Sequence, residues 1–291
     1  MASAGSRSTS RNERTRGAGR SLSSLAAHAI LLTYTVIATF PVLLVVVNSI
    51  KSRRSIFGSP YALPNAETFD LVGYQRVIEG ADFERYFLNS LIVTLTALAL
   101  ILLTSAMASF ALAEYDFRGN TLLALYLAVG IMIPIRVGTV SILRMMVELD
   151  LSDTLWSLIL VYSAQGIPLA VFILTTFMRQ VPGDLKAAAR VDGASEYRIF
   201  ALVLPLVRPA LGTIAVFSMI PIWNDLWFPL VLSSSESTKT IILGAQVFLG
   251  QYVNDWNAVL ASLTLAMLPV VILYVIFSRQ LIRGLTAGAV R

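Results

Sequence analysis

Between Pro182 and Pro209 the chain reads PGDLKAAARVDGASEYRIFALVLPLVRP. This is a polar, charged island of 28 residues between two long apolar segments. Its punctuation predicts two short helices. Asp184 stands where it can N-cap the first, its carboxylate accepting one of the N–H groups that a helix start leaves free. Asp192-Gly193 stops that helix, because only glycine enters the left-handed turn at little steric cost. Ser195 can cap the second helix, and Pro205 and Pro209 follow it. The small side chains of Ala187, Ala188 and Ala189 let another surface approach closely.

Outward from this island the chain is that of a membrane protein. It has 291 residues, 56% of them hydrophobic and only 13% charged, with a mean hydropathy of +0.75. About 20 apolar residues cross a bilayer core. On that measure the sequence predicts an all-α polytopic protein with six transmembrane helices, at about 25–50, 87–113, 120–143, 154–178, 209–233 and 256–279. The fifth is interrupted by Asp225, and the third reaches full length only by running past Arg136. The stretch Thr240–Asn254 is apolar but short, and Gly244, Gln246, Gly250 and Gln251 favour a re-entrant or surface piece over a seventh span.

Basic residues set the orientation. Fourteen of the 22 Lys and Arg precede the first span, follow the second, lie between the fourth and fifth, or end the chain. That side is therefore cytoplasmic, with both termini and residues 182–209 inside. Lys51, Arg53 and Arg54 run against this assignment, and the five arginines before the first span outweigh them. Residues 1–20, rich in Ser, Arg and Gly, read as a disordered cytoplasmic tail. They are not a cleavable signal, since the apolar run after them is too long. The segment Lys51–Arg85, with Pro60, Pro64 and five acidic residues, reads as a short ordered lobe on the outer face. The charge of +5 calls for no nucleic acid, because basic flanks of membrane spans account for it.

Catalytic chemistry finds no footing in the sequence. There is no cysteine and a single histidine, His28, so neither a thiolate nor a His-cluster metal site can form. No phosphate-binding glycine loop and no nucleophile elbow is present. The functional candidates are instead polar residues inside spans. Trp223, Asn224 and Asp225 lie along the fifth span, and a charge at bilayer depth costs roughly 2.5–3.5 kcal/mol even on the lenient scale. Two roles fit them: contact with a translocated solute, or a hydrogen-bond network between helices. Gln165 carries the same pair of readings. Arg136 is explained by snorkelling as well as by substrate contact.

Three runs carry a resemblance. Ala188, Ala189, Asp192, Gly193, Ala194, Phe200, Leu204, Pro205, Leu206 and Pro209 match, in order, the coupling ("EAA") loop of ABC-importer permeases. The run WNDLWFPL at 223–230 resembles the carbohydrate branch of that family. The ending resembles the Gly-Leu-Thr-x-Gly-x-Val-Lys tail of the "G" permease of maltose-type oligosaccharide importers, through Gly284, Leu285, Thr286, Gly288 and Val290. One departure stands out: the family's loop glutamate is Ala187 here, after Lys186.

The resemblance implies a transmembrane permease domain over 21–291 and a transport subunit that is not itself an enzyme. The partners it implies are a second permease in a heterodimer, two ATPase subunits, an extracytoplasmic sugar-binding protein and membrane lipid. ATP and Mg would be held by the ATPases, with no cofactor in this chain. On that basis Ala187, Ala188, Ala189, Asp192, Gly193, Ala194, Phe200 and Pro205 would receive the ATPase. Tyr252, Asp255 and Trp256 would face the binding protein, although an interfacial aromatic anchor explains Trp256 equally well. The tail would reach into the ATPase pair. Two alternatives remain at this point: the same machine for a non-sugar solute, and a proton-coupled secondary transporter working through Asp225.

Overall fold

The computed structural model describes residues 9–80, 82–249 and 254–287, and no strand occurs among them. The chain divides into two compact units, Met1–Leu71 and Val72–Arg291.

The first unit holds α1 (Thr9–Ser49) and α2 (Arg53–Gly58). Within α1, Ser24–Ser49 is long and apolar enough to cross a bilayer. The helix begins inside the stretch expected to be disordered, and residues 1–8 of that stretch lie outside the described residues. After α1 the chain folds back. Lys51 pairs with Phe69 in an antiparallel bridge, and the Ser52 N–H donates to the Thr68 carbonyl at 2.9 Å. The Lys51 ammonium is 1% exposed and donates to Asn48 Oδ1 and to the Ser59 and Pro60 carbonyls at 3.1–3.3 Å. A buried cation satisfied by carbonyl oxygens is a structural tie, which accounts for one of the three charges that oppose the orientation rule.

The second unit runs through α3 (Val72–Gly80), α4 (Phe83–Glu114), α5 (Asn120–Met132), a 3-10 turn (Ile135–Gly138), α6 (Thr139–Glu148) and α7 (Leu155–Met178). It continues through α8 (Gly183–Val191), α9 (Glu196–Val203), α10 (Arg208–Asn224), α11 (Trp227–Leu232), α12 (Ile241–Ala245) and α13 (Trp256–Ala287). The helices α4 and α7 also qualify as spans, and the count reaches five if each of two bent pairs is one span. In α13 the apolar part is Trp256–Ile272.

Helices α4 and α7 form the centre of this unit. They meet along small residues, as helices do where lipid gives no hydrophobic drive to association. A Cβ on Gly166 would lie 2.5 Å from Ile101 Cδ1, so any larger residue there would have to push the buried Ile101 side chain aside. Ser109 Oγ donates to the Val171 carbonyl at 3.1 Å across the same seam. Ile199, Val203 and Val207 join the core from the segment after α8.

The segment 120–143, read from sequence as one span, carries an 84° bend. Pro134 is the cause. It pushes Ile133 out of the helical region, to ψ 117°, and the chain restarts as the 3-10 turn. The short apolar stretch after Thr240 forms α12, buried at Ile241 and Gly244 and packed on α4 and α13.

Candidate functional site

Helix α10 stops at Asn224, and Asp225 takes an extended conformation (ψ 133°) before α11 begins. A break of this kind frees backbone N–H groups. The Asp225 carboxylate takes one of them, accepting from Phe228 N–H at 3.0 Å. It also accepts from Tyr162 Oη at 2.9 Å and from the Arg136 guanidinium at 3.3 Å. Arg136 stands in the 3-10 turn that follows Pro134, and its guanidinium carbon lies 6.0 Å from the centre of the Trp227 ring. The Asp225 side chain is 9% exposed and that of Arg136 is 67% exposed. Arg136 is thus an ion-pair partner of Asp225, a role the sequence reading did not give it.

This cluster lines a cavity of about 200 Å³ between α7 and α10. Gln165 from α7 and Ser218 from α10 add an amide and a hydroxyl to walls formed by Ile101, Leu169, Phe217 and Phe228. A polar cluster on apolar walls can hydrogen-bond a polar solute and hold it at one orientation. Of the path candidates, Gln165 and Asp225 come together here. Trp223 and Asn224 do not. Trp223 is buried, donates to the Ala266 carbonyl at 2.9 Å and packs edge-on against Phe87. Asn224 donates to the Ile220 carbonyl of its own helix. Tyr162 and Arg136 belong to the cluster and were missed as a pair, because nothing in their sequence positions shows that they meet Asp225.

The second region is α8 and α9. Gly193 has φ 76°, the left-handed turn assigned to it from sequence. The Gly193 N–H bonds the Arg190 carbonyl at 3.0 Å and the Ala194 N–H bonds the Ala189 carbonyl at 2.9 Å, the paired bonds of a Schellman helix end. The expected cap at Asp184 is corrected: α8 starts at Gly183 with Pro182 as its N-cap, so Asp184 lies within the first turn. Ser195 is the N-cap of α9, but its side chain makes no capping bond. Ala187, Ala188, Asp192, Gly193 and Pro205 are exposed, whereas Ala189, Ala194 and Phe200 pack against the core.

A charge cluster lies beneath these helices. Glu114, the last residue of α4, pairs with Lys186 and, at 2.7 Å, with Arg190. Arg190 also binds Glu196 at 2.9 Å, and Tyr115 Oη donates to Glu196 at 2.6 Å. Burial, then the hydrogen bond to Glu196, pushes the Tyr115 phenol up to about 12. The bonds from Arg190 and then Tyr115 hold the Glu196 carboxyl below its ordinary value.

At the start of α13, Asp255 is tied to α3 by an ion pair to Arg76 at 2.6 Å. It also accepts from the Ala258 N–H. Trp256 is the first residue of α13, half-buried, and Tyr252 lies outside the described residues. Gly284, Leu285 and Thr286 fall within α13, and Gly288 lies outside the described residues.

The family model described as "Binding-protein-dependent transport system inner membrane component" matches residues 101–287. The diacetylchitobiose uptake system permease protein NgcG of Streptomyces coelicolor is 31% identical over 91% of this chain and 88% of its own length. The arabinooligosaccharides transport system permease protein AraQ of Halalkalibacterium halodurans is 32% identical over 88% of this chain and 92% of its own. Among solved structures, a chain of a bacterial ABC transporter involved in the import of the acidic polysaccharide alginate superposes with a TM-score of 0.78. It covers 90% of this chain and 97% of that one at 20% identity, a likeness of fold.

Proposed function

The chain belongs to the binding-protein-dependent transport system inner membrane components, and from that premise we propose that it translocates a sugar or oligosaccharide across the cytoplasmic membrane. It is a permease subunit of an ABC importer and not itself an enzyme. Relatives aligned over about nine-tenths of the chain are named for diacetylchitobiose and arabinooligosaccharide transport, which supports a sugar as the solute.

The working assembly is this chain, a second permease, two ATPase subunits and an extracytoplasmic sugar-binding protein. In this reading the six spans are α1, α4, α5 with α6, α7, α10 with α11, and α13. Residues 182–209 lie inside with both termini, and the exposed face of Ala187, Ala188 and Gly193 receives the ATPase. ATP-driven closure of the ATPases pushes on this loop, and the permease pair switches between inward-open and outward-open forms. The solute passes the cavity of Gln165, Tyr162 and Asp225. Proton coupling through Asp225 is not favoured, because its carboxylate is already committed to Arg136, Tyr162 and the Phe228 N–H.

The single observation that carries the coupling role is the exposed Schellman turn at Gly193 on a short helix pair between apolar helices. Reporter fusions test the arrangement. Fusions after Lys51 and Lys239 should report outside, and those after Arg118 and Gly183 inside. An inside signal at Lys239 refutes six spans.

A further inference from the structure

We propose that Glu114 is a positioning residue for energy coupling, fastening α8 and α9 to one end of α4 so that α4 carries their displacement to the segment 233–241 at its other end. This rests on the reading of 182–209 as the ATPase-facing loop.

A carboxylate at a helix C-terminus meets the negative end of the helix dipole, so Glu114 is unfavourably placed unless cations compensate. Two do. Lys186 and Arg190 both come from α8, and the Glu114 side chain is only 8% exposed. Arg190 passes the link to Glu196 at the start of α9, and Tyr115 closes the ring onto the same carboxylate. Two anions and two cations therefore join both short helices to the last turn of α4. A buried ion pair is weak support for stability compared with an apolar contact of the same size. What it supplies is orientation, since each charge tolerates few other positions.

The opposite end of α4 is fastened as firmly. Tyr86 Oη donates to Glu236 at 2.5 Å, and Asn89 Nδ2 donates to the Ser237 and Lys239 carbonyls at 2.8 and 2.9 Å. The Ile241 N–H donates to Ser90 Oγ at 2.8 Å. Between these anchors α4 has no internal proline, whereas α7 contains Pro168 and α13 contains Pro269. A proline-free helix of 32 residues, about 48 Å long, transmits an end displacement with little bending. Lys186 is thereby drawn inward, leaving Ala187 beside it to face outward.

The chain has no cysteine, so one introduced thiol labels one site. A bimane fluorophore is placed at Ala188→Cys or at Ser237→Cys in the full complex with its partner permease and ATPases. Emission is compared without nucleotide and after trapping with Mg-ATP and vanadate. In the otherwise unaltered chain both labels should respond. The double variant Glu114→Gln/Lys186→Gln removes both charges together, so neither is left buried and unpaired. In it the label at 188 should still respond, and the response at 237 should fall to less than roughly half, because the two-state element no longer links the sites. Glu114→Asp, which keeps the charge, should retain the response at 237. A merely structural role would lower the melting temperature and leave the ratio of the two responses unchanged. An undiminished response at 237 in the double variant overturns the proposal, as does loss of both responses together. No response at 188 in the unaltered background overturns the loop assignment, and this proposal with it.

Discussion

Replacing Gly193 by Val, Ala and Asn in turn tests whether the turn between α8 and α9 sets the docking surface. At φ 76° a side chain with a Cβ is strained by ~1–2 kcal/mol, most for a β-branched residue. Beyond its two chain neighbours, no heavy atom lies within 4 Å of a Cβ built at Gly193, so within this chain the cost is backbone strain alone. The loop can relieve the strain only by giving up the bonds from the Gly193 and Ala194 N–H groups, each contributing about 0.5–1.5 kcal/mol. Relief costs as much as the strain, so Gly193→Val should populate a changed angle between the helices. If that difference falls on the docked state, ATPase affinity drops by roughly 5–30-fold. Alanine should fall between valine and glycine. Asparagine, which tolerates the left-handed region, should stay near wild type.

The assay is a titration of the ATPase onto the permease pair in nanodiscs, with membrane-inserted permease quantified in parallel. Insertion should be nearly normal for all three, because the turn lies outside the spans. Equal loss with Asn and Val would mean that bulk against the ATPase, not strain, is responsible. Full affinity with Val would refute the reasoning and remove the main support for 182–209 as the coupling loop.

Three further outcomes are expected. Asp225→Asn should weaken transport while assembly and basal ATP hydrolysis hold; loss of thermal stability would instead assign Asp225 to the fold, and a fully active, fully stable Asp225→Ala would exclude both roles. Ala187→Glu should change coupling little, since the basic neighbours Lys186 and Arg190 are already bound to Glu114 and Glu196; a large gain in transport would show an unpaired cation waiting on the ATPase. Burial alone would raise the Asp153 carboxyl, but bonds from Ser235, Thr238 and Ser234 outweigh it and hold it at about 2. Its folded value lies below the ordinary one, so its stabilisation is present above about pH 4 and lost as pH falls through about 2; an acid scan of Asp153→Asn should lack that loss, and an unchanged profile counts against the tie.

What the sequence made legible follows from how local the signal is. The Gly193 turn needs only its own residues, since a helix stop and a left-handed φ are local events. The apolar runs of α1, α4 and α7 announce themselves by length. Long-range pairing does not. Glu114 and Lys186 are 72 positions apart, and Arg136 and Asp225 are 89 apart, so no window of sequence contains either pair. Trp223 was drawn to the solute path by its neighbours in the run 223–230. Its indole donates to the Ala266 carbonyl of α13, a contact that a helical period alone could not decide. The bend after α5 was signalled by Pro134, yet apolar composition on both sides of it made the segment read as continuous.

The two irregular places in the second unit account for each other. In a bilayer an unsatisfied backbone group costs several kcal/mol, so a chain breaks its helix there only where something takes up the freed groups. At the end of α10 the Asp225 carboxylate takes up the Phe228 N–H, but a carboxylate whose side chain is 9% exposed is itself costly unless it is paired. The compensating cation is Arg136, which reaches it because Pro134 ends α5 early and turns the chain into the 3-10 segment. A straight helix through 133–136 would move the Arg136 backbone off that turn and leave Asp225 with Tyr162 as its only side-chain donor among the described residues. The break in one segment thus makes the break in the other tolerable. The place where they meet is the polar wall of the cavity.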